Sequence, residues 1–184
     1  MLKNKTNNNL KASNLSSLKT VYLGIGTNKG TRETNISSAI NLLSNIKGIK
    51  LLKISKMLKN PPQEGIKSGY FLNGAIKLLT SLTPLELLKV CKKIEKKQGR
   101  KETRIQRRKI SRVIDLDILF YGNEIINTKE LTIPHPMIEK RYFVLIPLME
   151  IAKRFVHPLL KKSIKELYID YCAPTSIKNC ASAV

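Results

Sequence analysis

The sequence predicts an α+β domain whose elements follow the order β-α-β-β-α-β. Segments rich in β-branched residues alternate with segments whose apolar residues recur at helical spacing. Glycines end both predicted helices, and a capping box begins the second one. With 184 residues and a hydrophobic content of 42%, the chain is long and apolar enough for one domain with a sizeable core.

The first half of the chain supplies the predicted β-α-β-β part. Residues 20–25 have the composition of a strand, and the glycines that follow match neither a dinucleotide fingerprint nor a Walker loop. These glycines therefore indicate a tight turn into a helix, which the apolar spacing predicts over residues 31–46. Residues 49–58 and 70–82 then read as two strands, separated by a proline-containing loop that cannot continue a sheet.

The second helix has the clearest local signal. Thr83 is its N-cap, Pro84 occupies its first position and Glu86 completes a capping box, so the helix extends to about Gln98. Glu95 lies near the C-terminal end, where the helix dipole disfavours an acid, and we infer a specific role for it. The predicted buried residues of this helix are Leu85, Leu88, Cys91 and Ile94.

The strand over residues 112–120 carries the main candidate site. Side chains alternate between the faces of a strand, so Asp115 and Asp117 share one face and the apolar residues Ile114, Leu116 and Ile118 share the other. The aspartate Cα atoms lie roughly 6.5–7 Å apart, so both carboxylates can converge on hard cations such as Mg²⁺. The alternative is a solvated strand face that pairs with nearby lysines.

The segments on either side of this strand suggest contacts with phosphate and ligand. Residues 96–112 form the densest basic run in a chain of net charge +21, which we interpret as a loop that closes over polyphosphate. A solvated loop is the alternative. His135 stands between Pro134 and Pro136, which excludes the interior of a helix or a sheet. A partly exposed imidazole fits ligand contact, and a structural histidine is the alternative.

Composition limits the classes of protein to which the chain can belong. No stretch approaches the roughly 18 consecutive apolar residues of a membrane span. The cysteines lack metal-type spacing, and a reducing, cytoplasmic compartment fits them. We expect a disordered leader over residues 1–19, one domain over 20–172 and a loose tail over 173–184. Residues 139–153 are predicted to be helical, with an interruption at Pro147.

These residues together resemble the 6-hydroxymethyl-7,8-dihydropterin pyrophosphokinase family. The resemblance covers about residues 21–157, and its segments follow the order found in the family. The most specific are the two-aspartate strand and the Pro-His-Pro segment at the family's distance from it. The matching segments are residues 26–28, 61–62, 71–73, 94–95, 98–100, 112–119, 134–136 and 141–145.

The resemblance implies a fold and an activity. The fold is a ferredoxin-like α+β core with an antiparallel sheet, helices packed on the sheet and a small C-terminal extension. The implied enzyme transfers diphosphate from ATP to 6-hydroxymethyl-7,8-dihydropterin in folate biosynthesis and releases AMP. Its partners are the pterin and ATP, with two Mg²⁺ ions. We expect a cytoplasmic monomer that binds neither membrane nor nucleic acid.

The resemblance also implies roles for individual residues. Asp115 and Asp117 correspond to metal ligands, and with Arg100 and Arg112 they form the implied catalytic group. The residues that correspond to the pterin site, with both phenylalanine rings stacked on the pterin, are Pro62, Gln63, Phe71, Asn73 and Phe143. The residues that correspond to the ATP site are Glu95, Arg112, Ile118, Thr132, His135 and Arg141.

The chain departs from the family just before Arg112. The family commonly has Arg-Trp-Gly-Pro-Arg there, whereas residues 108–112 are Arg-Lys-Ile-Ser-Arg and the chain has no tryptophan. Two other classes stay open: a nucleic-acid-binding module, which the basic run supports, and a degenerate enzyme retained as a folate-pathway scaffold. An RNA-recognition sheet displays an aromatic signature that this chain lacks. Formation of AMP separates the enzyme from both alternatives.

Overall fold

The computed structural model describes residues 18–61, 69–99 and 112–173. The predicted leader and tail lie outside these ranges apart from a few residues at their inner ends. The described part contains helices and strands in the following order: β1 (Lys19–Thr27), α1 (Arg32–Ser44), β2 (Ile49–Ile54), β3 (Leu58–Asn60), β4 (Phe71–Thr80), α2 (Pro84–Lys97), β5 (Asp115–Tyr121), β6 (Ile126–Asn127), β7 (Thr132–Ile133), α3 (Tyr142–Ala152) and α4 (Ile164–Cys172).

The main sheet has the strand order β2-β4-β1-β5, and every neighbouring pair in it is antiparallel. The short strand β3 pairs with the beginning of β4, and β6 and β7 form a separate two-stranded sheet. The helix α1 connects β1 to β2, and α2 connects β4 to β5. The predicted mixed α+β class with an antiparallel sheet is therefore confirmed.

The two faces of the sheet pack against different helices. One face packs on α1 and α2, in an apolar cluster that includes Leu23, Ile76, Leu116, Leu43 and Leu87. The opposite face packs on α3 and α4, in a cluster that includes Tyr22, Phe120, Leu145, Leu148 and Leu167. Because side chains alternate along each strand, consecutive residues contribute to different clusters. Each fully buried side chain contributes about 1.5–3 kcal/mol, so both layers of helices stabilise the sheet.

The capping box at the start of α2 is confirmed, and so is the burial of Cys91 and Ile94, whereas the predicted burial of Leu85 is wrong. The Thr83 hydroxyl accepts the backbone N–H of Glu86, and the Glu86 carboxylate accepts the N–H of Thr83. Leu85 is 46% exposed, whereas Leu87 is fully buried. The side of α2 that faces the sheet is centred on Leu87 and continues through Glu95.

The predicted strand over residues 49–58 is divided into β2 and β3 by contacts that residues distant in sequence supply. The Ser55 N–H donates to Ala75 O at 2.9 Å, and the Ser55 hydroxyl oxygen accepts the Ala75 N–H at the same distance. The carboxylate of Glu150 in α3 accepts the N–H of Lys56 at 2.9 Å. The side chains of Ser55 and Glu150 thus replace part of the regular strand pairing between β2 and β3.

The predicted interruption of the third helix at Pro147 is wrong, because α3 continues through it. A proline in a helix removes one N–H donor, but packing against neighbouring elements can hold the helix together. Here Pro147 is buried between Leu145 and Leu148, which belong to the apolar cluster on this face. None of the helices in the described ranges is long and apolar enough to cross a membrane.

Candidate active site

The division of β5 into an apolar and an acidic face is confirmed. Ile114, Leu116 and Ile118 are buried in the cluster with α1 and α2. Asp115 and Asp117 alternate with them and therefore project from the opposite face, the one that packs on α3 and α4. Both aspartates are only partly buried, so their carboxylates are accessible to a ligand.

Glycines lie opposite both aspartates in the neighbouring strand. Asp115 pairs with Gly26 of β1 and Asp117 pairs with Gly24, while Gly26 also pairs with Asn73 of β4. Asp115, Gly26 and Asn73 thus form one row across three strands. Because neighbouring strands lie about 4.8 Å apart, the Cα atoms at the two ends of this row are roughly 10 Å apart. The glycine places no side chain of its own between them, so the Asn73 amide can lie over Gly26.

Arg112 faces the acidic pair. Its guanidinium forms an ion pair with Asp115, and the two side chains are 45% and 23% exposed, respectively. Burial opposes the charge of Arg112, but the carboxylates of Asp115, Asp117 and Glu95 outweigh it and raise the pKa of the guanidinium. Arg112 is therefore a fixed cation beside two acids, as a phosphate-binding group near a metal site would be.

The backbone of Arg112 is held by Asn28, for which no role was predicted. The N–H of Asn28 donates to Arg112 O at 3.1 Å, and the N–H of Arg112 donates to Asn28 Oδ1 at 2.6 Å. Asn28 is buried, with 2% of its surface exposed. This reciprocal pair fixes the start of β5 to the loop after β1. The only sequence signal was the position of Asn28 in the matching segment 26–28.

The predicted pterin residues Phe71 and Asn73 lie at the start of β4, on the same face as the aspartates. The Asn73 amide nitrogen donates to Asn60 Oδ1 at 2.6 Å, and Asn60 is buried in β3. The Asn73 amide oxygen lies over Gly26, where an added Cβ would be 2.5 Å from it. Asn60, for which no role was predicted, thus orients the Asn73 side chain.

Phe143 lies on a different element, in the first turn of α3. Its ring packs edge-on against Tyr142 with 5.6 Å between centroids, and the Arg141 guanidinium carbon lies 5.9 Å from the Phe143 centroid. The helix α3 packs against β4, which carries Phe71. Among the described residues no ring contact joins Phe71 to Phe143.

His135 is anchored beside β5. The backbone N–H of His135 donates to Leu119 O at 3.0 Å, and its imidazole Nδ1 accepts the backbone N–H of Met137 at 3.2 Å. Burial and the nearby Arg141 lower the imidazole pKa, and they outweigh the opposing effects of Asp115 and Glu139. The neutral ring with an accepting Nδ1 carries its proton on Nε2, which is then a donor for a ligand.

Two predicted nucleotide-site residues have buried side chains. Glu95 is 4% exposed, and its Oε1 accepts the N–H of Leu116 at 2.8 Å. Its inferred specific role therefore includes a hydrogen bond to β5. The side chain of Ile118 is 4% exposed in the core, which limits any nucleotide contact to its backbone. Backbone groups two residues apart point to the same edge of a strand, so those of Ile118 share the outer edge with Leu116.

Of the remaining predicted site residues, only Thr132 lies in the part of the chain that the structure describes. Thr132 is exposed in β7, at the start of the segment that leads to His135. Arg100, Pro62 and Gln63 lie outside the described residues, and so do the family departures at residues 108–111. In the ranges that the structure describes, no group of three or more His, Cys, Asp or Glu side chains converges on a metal position.

Comparison with known proteins gives a consistent result. The family model of 7,8-dihydro-6-hydroxymethylpterin-pyrophosphokinase (HPPK) matches residues 22–153. A 2-amino-4-hydroxy-6-hydroxymethyldihydropteridine pyrophosphokinase from Aquifex aeolicus is 44% identical over 147 residues, which are 80% of this chain and 89% of that protein. The folic acid synthesis protein fol1 from Pneumocystis carinii is 42% identical over 163 residues, or 89% of this chain but only 22% of fol1.

A solved structure shows the same fold. The crystal structure of Plasmodium falciparum HPPK-DHPS with pteroate matches with a TM-score of 0.69 and 17% identity, over 88% of this chain and 45% of that one. The chain therefore spans less than half of these larger relatives, but nearly all of the Aquifex enzyme. The match over residues 22–153 and the identity to the Aquifex enzyme agree, and the chain belongs to the 7,8-dihydro-6-hydroxymethylpterin-pyrophosphokinase family.

Proposed function

We propose that the family's reaction, pyrophosphoryl transfer from ATP to 6-hydroxymethyl-7,8-dihydropterin in folate synthesis, takes place over the row formed by Asp115, Gly26 and Asn73. That row is the observation that carries the proposal. It places a carboxylate and an amide on one face of the sheet, with only a glycine between them. The carboxylate suits the metal-bound triphosphate and the amide suits the edge of a heterocycle.

Asp115 and Asp117 would hold the two Mg²⁺ ions. Mg²⁺ prefers oxygen ligands and usually combines one or two carboxylates with water and substrate phosphates, so the donor set present here fits it. When bound, such ions offset the charge that develops on the transferred phosphoryl group. Arg112, which pairs with Asp115, would bind phosphate oxygens through its guanidinium fork. Arg100 would act in the same way from the basic run.

The pterin would stack between Phe71 and Phe143, with its edge hydrogen-bonded to Asn73 and to backbone groups around Pro62 and Gln63. The two rings belong to different elements and make no contact with each other in the described part of the chain, as a ligand between them requires. Each stacking contact contributes about 0.5–1.5 kcal/mol beyond burial. Asn60 fixes the Asn73 amide, so the hydrogen bond to the pterin is formed by an already oriented group.

The nucleotide would lie along the outer edge of β5. The backbone of Ile118 offers hydrogen bonds there beside Glu95, while Thr132, His135 and Arg141 approach from the segments that follow. The neutral His135 donates from Nε2, and Arg141 supplies positive charge next to it. Together these groups hold the α-phosphate and nucleoside in place while the terminal diphosphate is transferred to the pterin.

The chemical step is a substitution at the β-phosphorus of ATP. The pterin hydroxymethyl oxygen forms a bond to this phosphorus, the bond to the oxygen that bridges the α- and β-phosphates breaks, and AMP departs. The hydroxyl proton is lost to solvent. Phosphoryl transfer depends mainly on positioning and electrostatic stabilisation, which Arg112, Asn73 and the two rings provide by holding both substrates in line.

We infer a ferredoxin-like core over residues 20–172, flanked by a leader over 1–19 and a tail over 173–184, that works as a cytoplasmic monomer. Support for the fold comes from the antiparallel order β2-β4-β1-β5 with a helix after β1 and after β4. Light scattering on the purified full chain measures the mass in solution, and a dimer would contradict the monomer.

The activity is tested by mixing the purified protein with ATP, MgCl₂ and the reduced hydroxymethylpterin. We expect AMP and the pterin diphosphate to form in equal amounts, and EDTA to stop the reaction. Release of ADP or inorganic phosphate, or no product at all, would contradict the proposed function. An Asp117→Asn protein is the matched control, because it keeps the size of the side chain and removes its charge.

A further inference from the structure

Arg32, the first residue of α1, has no part in the site described above, yet its guanidinium joins two separate segments. Its Nε donates to Tyr70 O at 2.8 Å. Its Nη2 donates to Asn28 O at 3.2 Å, and its Nη1 lies 3.4 Å from Gly30 O. The side chain therefore ties the loop after β1 to the residue just before β4.

Tyr70 is held through its ring as well as through its carbonyl. The guanidinium carbon of Arg32 lies 4.1 Å from the centroid of the Tyr70 ring, and Lys59 Nζ lies 4.2 Å from it. The adjacent Gly69 leaves little space, since an added Cβ there would lie 3.0 Å from Arg32 Nη2. The guanidinium of Arg32 thus lies close to the backbone of both Gly69 and Tyr70, just before β4.

Both segments that Arg32 joins lead directly to the proposed substrate contacts. Tyr70 immediately precedes Phe71, the stacking ring on the pterin side. Asn28 forms the reciprocal hydrogen bonds that fix the backbone of Arg112 on the phosphate side. Arg32 is the one side chain in the described ranges that hydrogen-bonds to both Asn28 and Tyr70.

We propose that Arg32 is a positioning residue that sets the pterin-stacking end of β4 relative to Arg112. This inference rests on the proposed function of the site. The guanidinium suits the task because its planar fork directs several N–H donors to separate acceptors at once. A lysine retains the charge over the Tyr70 ring, but its single nitrogen cannot reach all three carbonyls.

A purely structural role has a different consequence. If the Arg32 side chain served only to stabilise the first turn of α1, its loss would lower the melting temperature and leave the substrate affinity of the folded protein unchanged. A positioning role raises the Kd and KM for the pterin more than it lowers kcat. Pterin binding is followed by the ligand's own fluorescence with a nonhydrolysable ATP analogue present, so it is measured without turnover.

The test compares Arg32→Gln, Arg32→Lys and Lys29→Gln in the full chain. Lys29 is an exposed cation in the same loop, so its variant controls for the loss of one positive charge. We expect Arg32→Gln to raise the pterin Kd about tenfold, the effect of losing a charged hydrogen bond, with Arg32→Lys between it and wild type. Lys29→Gln should bind as wild type does. Equal affinities for Arg32→Gln and wild type would overturn the proposal.

A second pair of variants keeps the test decisive if Arg32→Gln does not fold. Gly69→Ala leaves Arg32 in place but crowds its guanidinium, and Tyr70→Leu removes the ring and keeps the carbonyl. Each should raise the pterin Kd, and the effects of Tyr70→Leu and Arg32→Gln should be non-additive where both fold. Wild-type affinity in Gly69→Ala and Tyr70→Leu would overturn the positioning role. Failure of the wild-type protein to form AMP would instead overturn the proposed function itself.

Discussion

The two faces of the central sheet are built differently. The face towards α1 and α2 is apolar along its length, with residues such as Leu23, Ile76 and Leu78 fully buried. The face towards α3 and α4 is apolar only in part. Near Asp115 and Asp117 it carries Gly24 and Gly26 in β1, where the other face carries Leu23 and Ile25.

This difference shows how one set of strands serves both stability and binding. Strand alternation lets β1, β4 and β5 contribute apolar side chains to one face and the proposed ligand-binding groups to the other. Glycine in a strand interior weakens the strand, and here Gly26 leaves room for the Asn73 amide. Substitutions on the two faces should therefore change different measured quantities.

The largest effect is expected from Asp117→Asn. Removal of one carboxylate should lower kcat by about a thousandfold, the scale associated with losing an electrostatic contact to the transferred group. The free energy of unfolding should hardly change, because Asp117 lies outside the buried core. Initial rates of AMP formation and urea denaturation provide the two measurements. An Asp117→Asn protein with wild-type kcat would remove the metal assignment.

On the opposite face, Leu78→Ala should show the reverse pattern. Leu78 is fully buried, with 0% of its surface exposed, so its truncation should lower the free energy of unfolding by about 2–5 kcal/mol. The kcat of the folded protein should stay close to wild type. Denaturation and assay well below the melting temperature check both statements, and a loss of kcat without a loss of stability would contradict the division between faces.

A smaller effect is expected from Gly26→Ala. The added methyl group would lie 2.5 Å from Asn73 Oδ1, so the amide has to move and the KM for the pterin should rise roughly tenfold, as for one lost hydrogen bond. Gly24→Ala is the matched control for Asn73, because its Cβ would lie 3.5 Å from Leu119, an ordinary contact. Equal pterin KM values for both variants would show that the position of Asn73 does not matter.

The smallest effect on stability is expected from His157, which is buried against Phe120 on the face of the sheet that packs on α3 and α4. Its Nδ1 accepts the N–H groups of Leu159 and Leu160 at 3.2 Å, and its ring packs edge-on against Phe120 with 5.4 Å between centroids. Burial lowers the pKa of the imidazole, against the opposing effect of Glu139. Between the lowered folded pKa and the ordinary value of about 6.5, the unfolded chain binds a proton that the folded chain does not.

The contribution of His157 to the free energy of unfolding should therefore be constant above about pH 6.5. Below that pH it should fall by at most about 1.4 kcal/mol per pH unit. Urea denaturation at pH 7.5 and 5.5 measures the change. His157→Gln should be less stable at pH 7.5 and lose less stability on acidification. His135, whose pKa is also lowered, adds a term that is common to both proteins. An identical pH dependence in both proteins would contradict the assignment to His157.

Local sequence signals were sufficient to predict most of the fold and the acidic face of β5. The capping box at Thr83 depends on residues three positions apart, and the two faces of β5 depend on simple alternation, so both were predictable. The break after Ile54 was not, because Ala75 and Glu150, far along the chain, supply the contacts that divide the strand. The contacts of the side chains that support the site, such as Asn28 and Arg32, were missed for the same reason.

The most direct test is a crystal structure with Mg²⁺, a nonhydrolysable ATP analogue and the pterin. The account predicts metal ions about 2.1 Å from oxygens of Asp115 and Asp117 and shared with the phosphates, beside a pterin stacked between Phe71 and Phe143. Metal ions bound only by phosphate and water, with both aspartates turned away from the triphosphate, would contradict it.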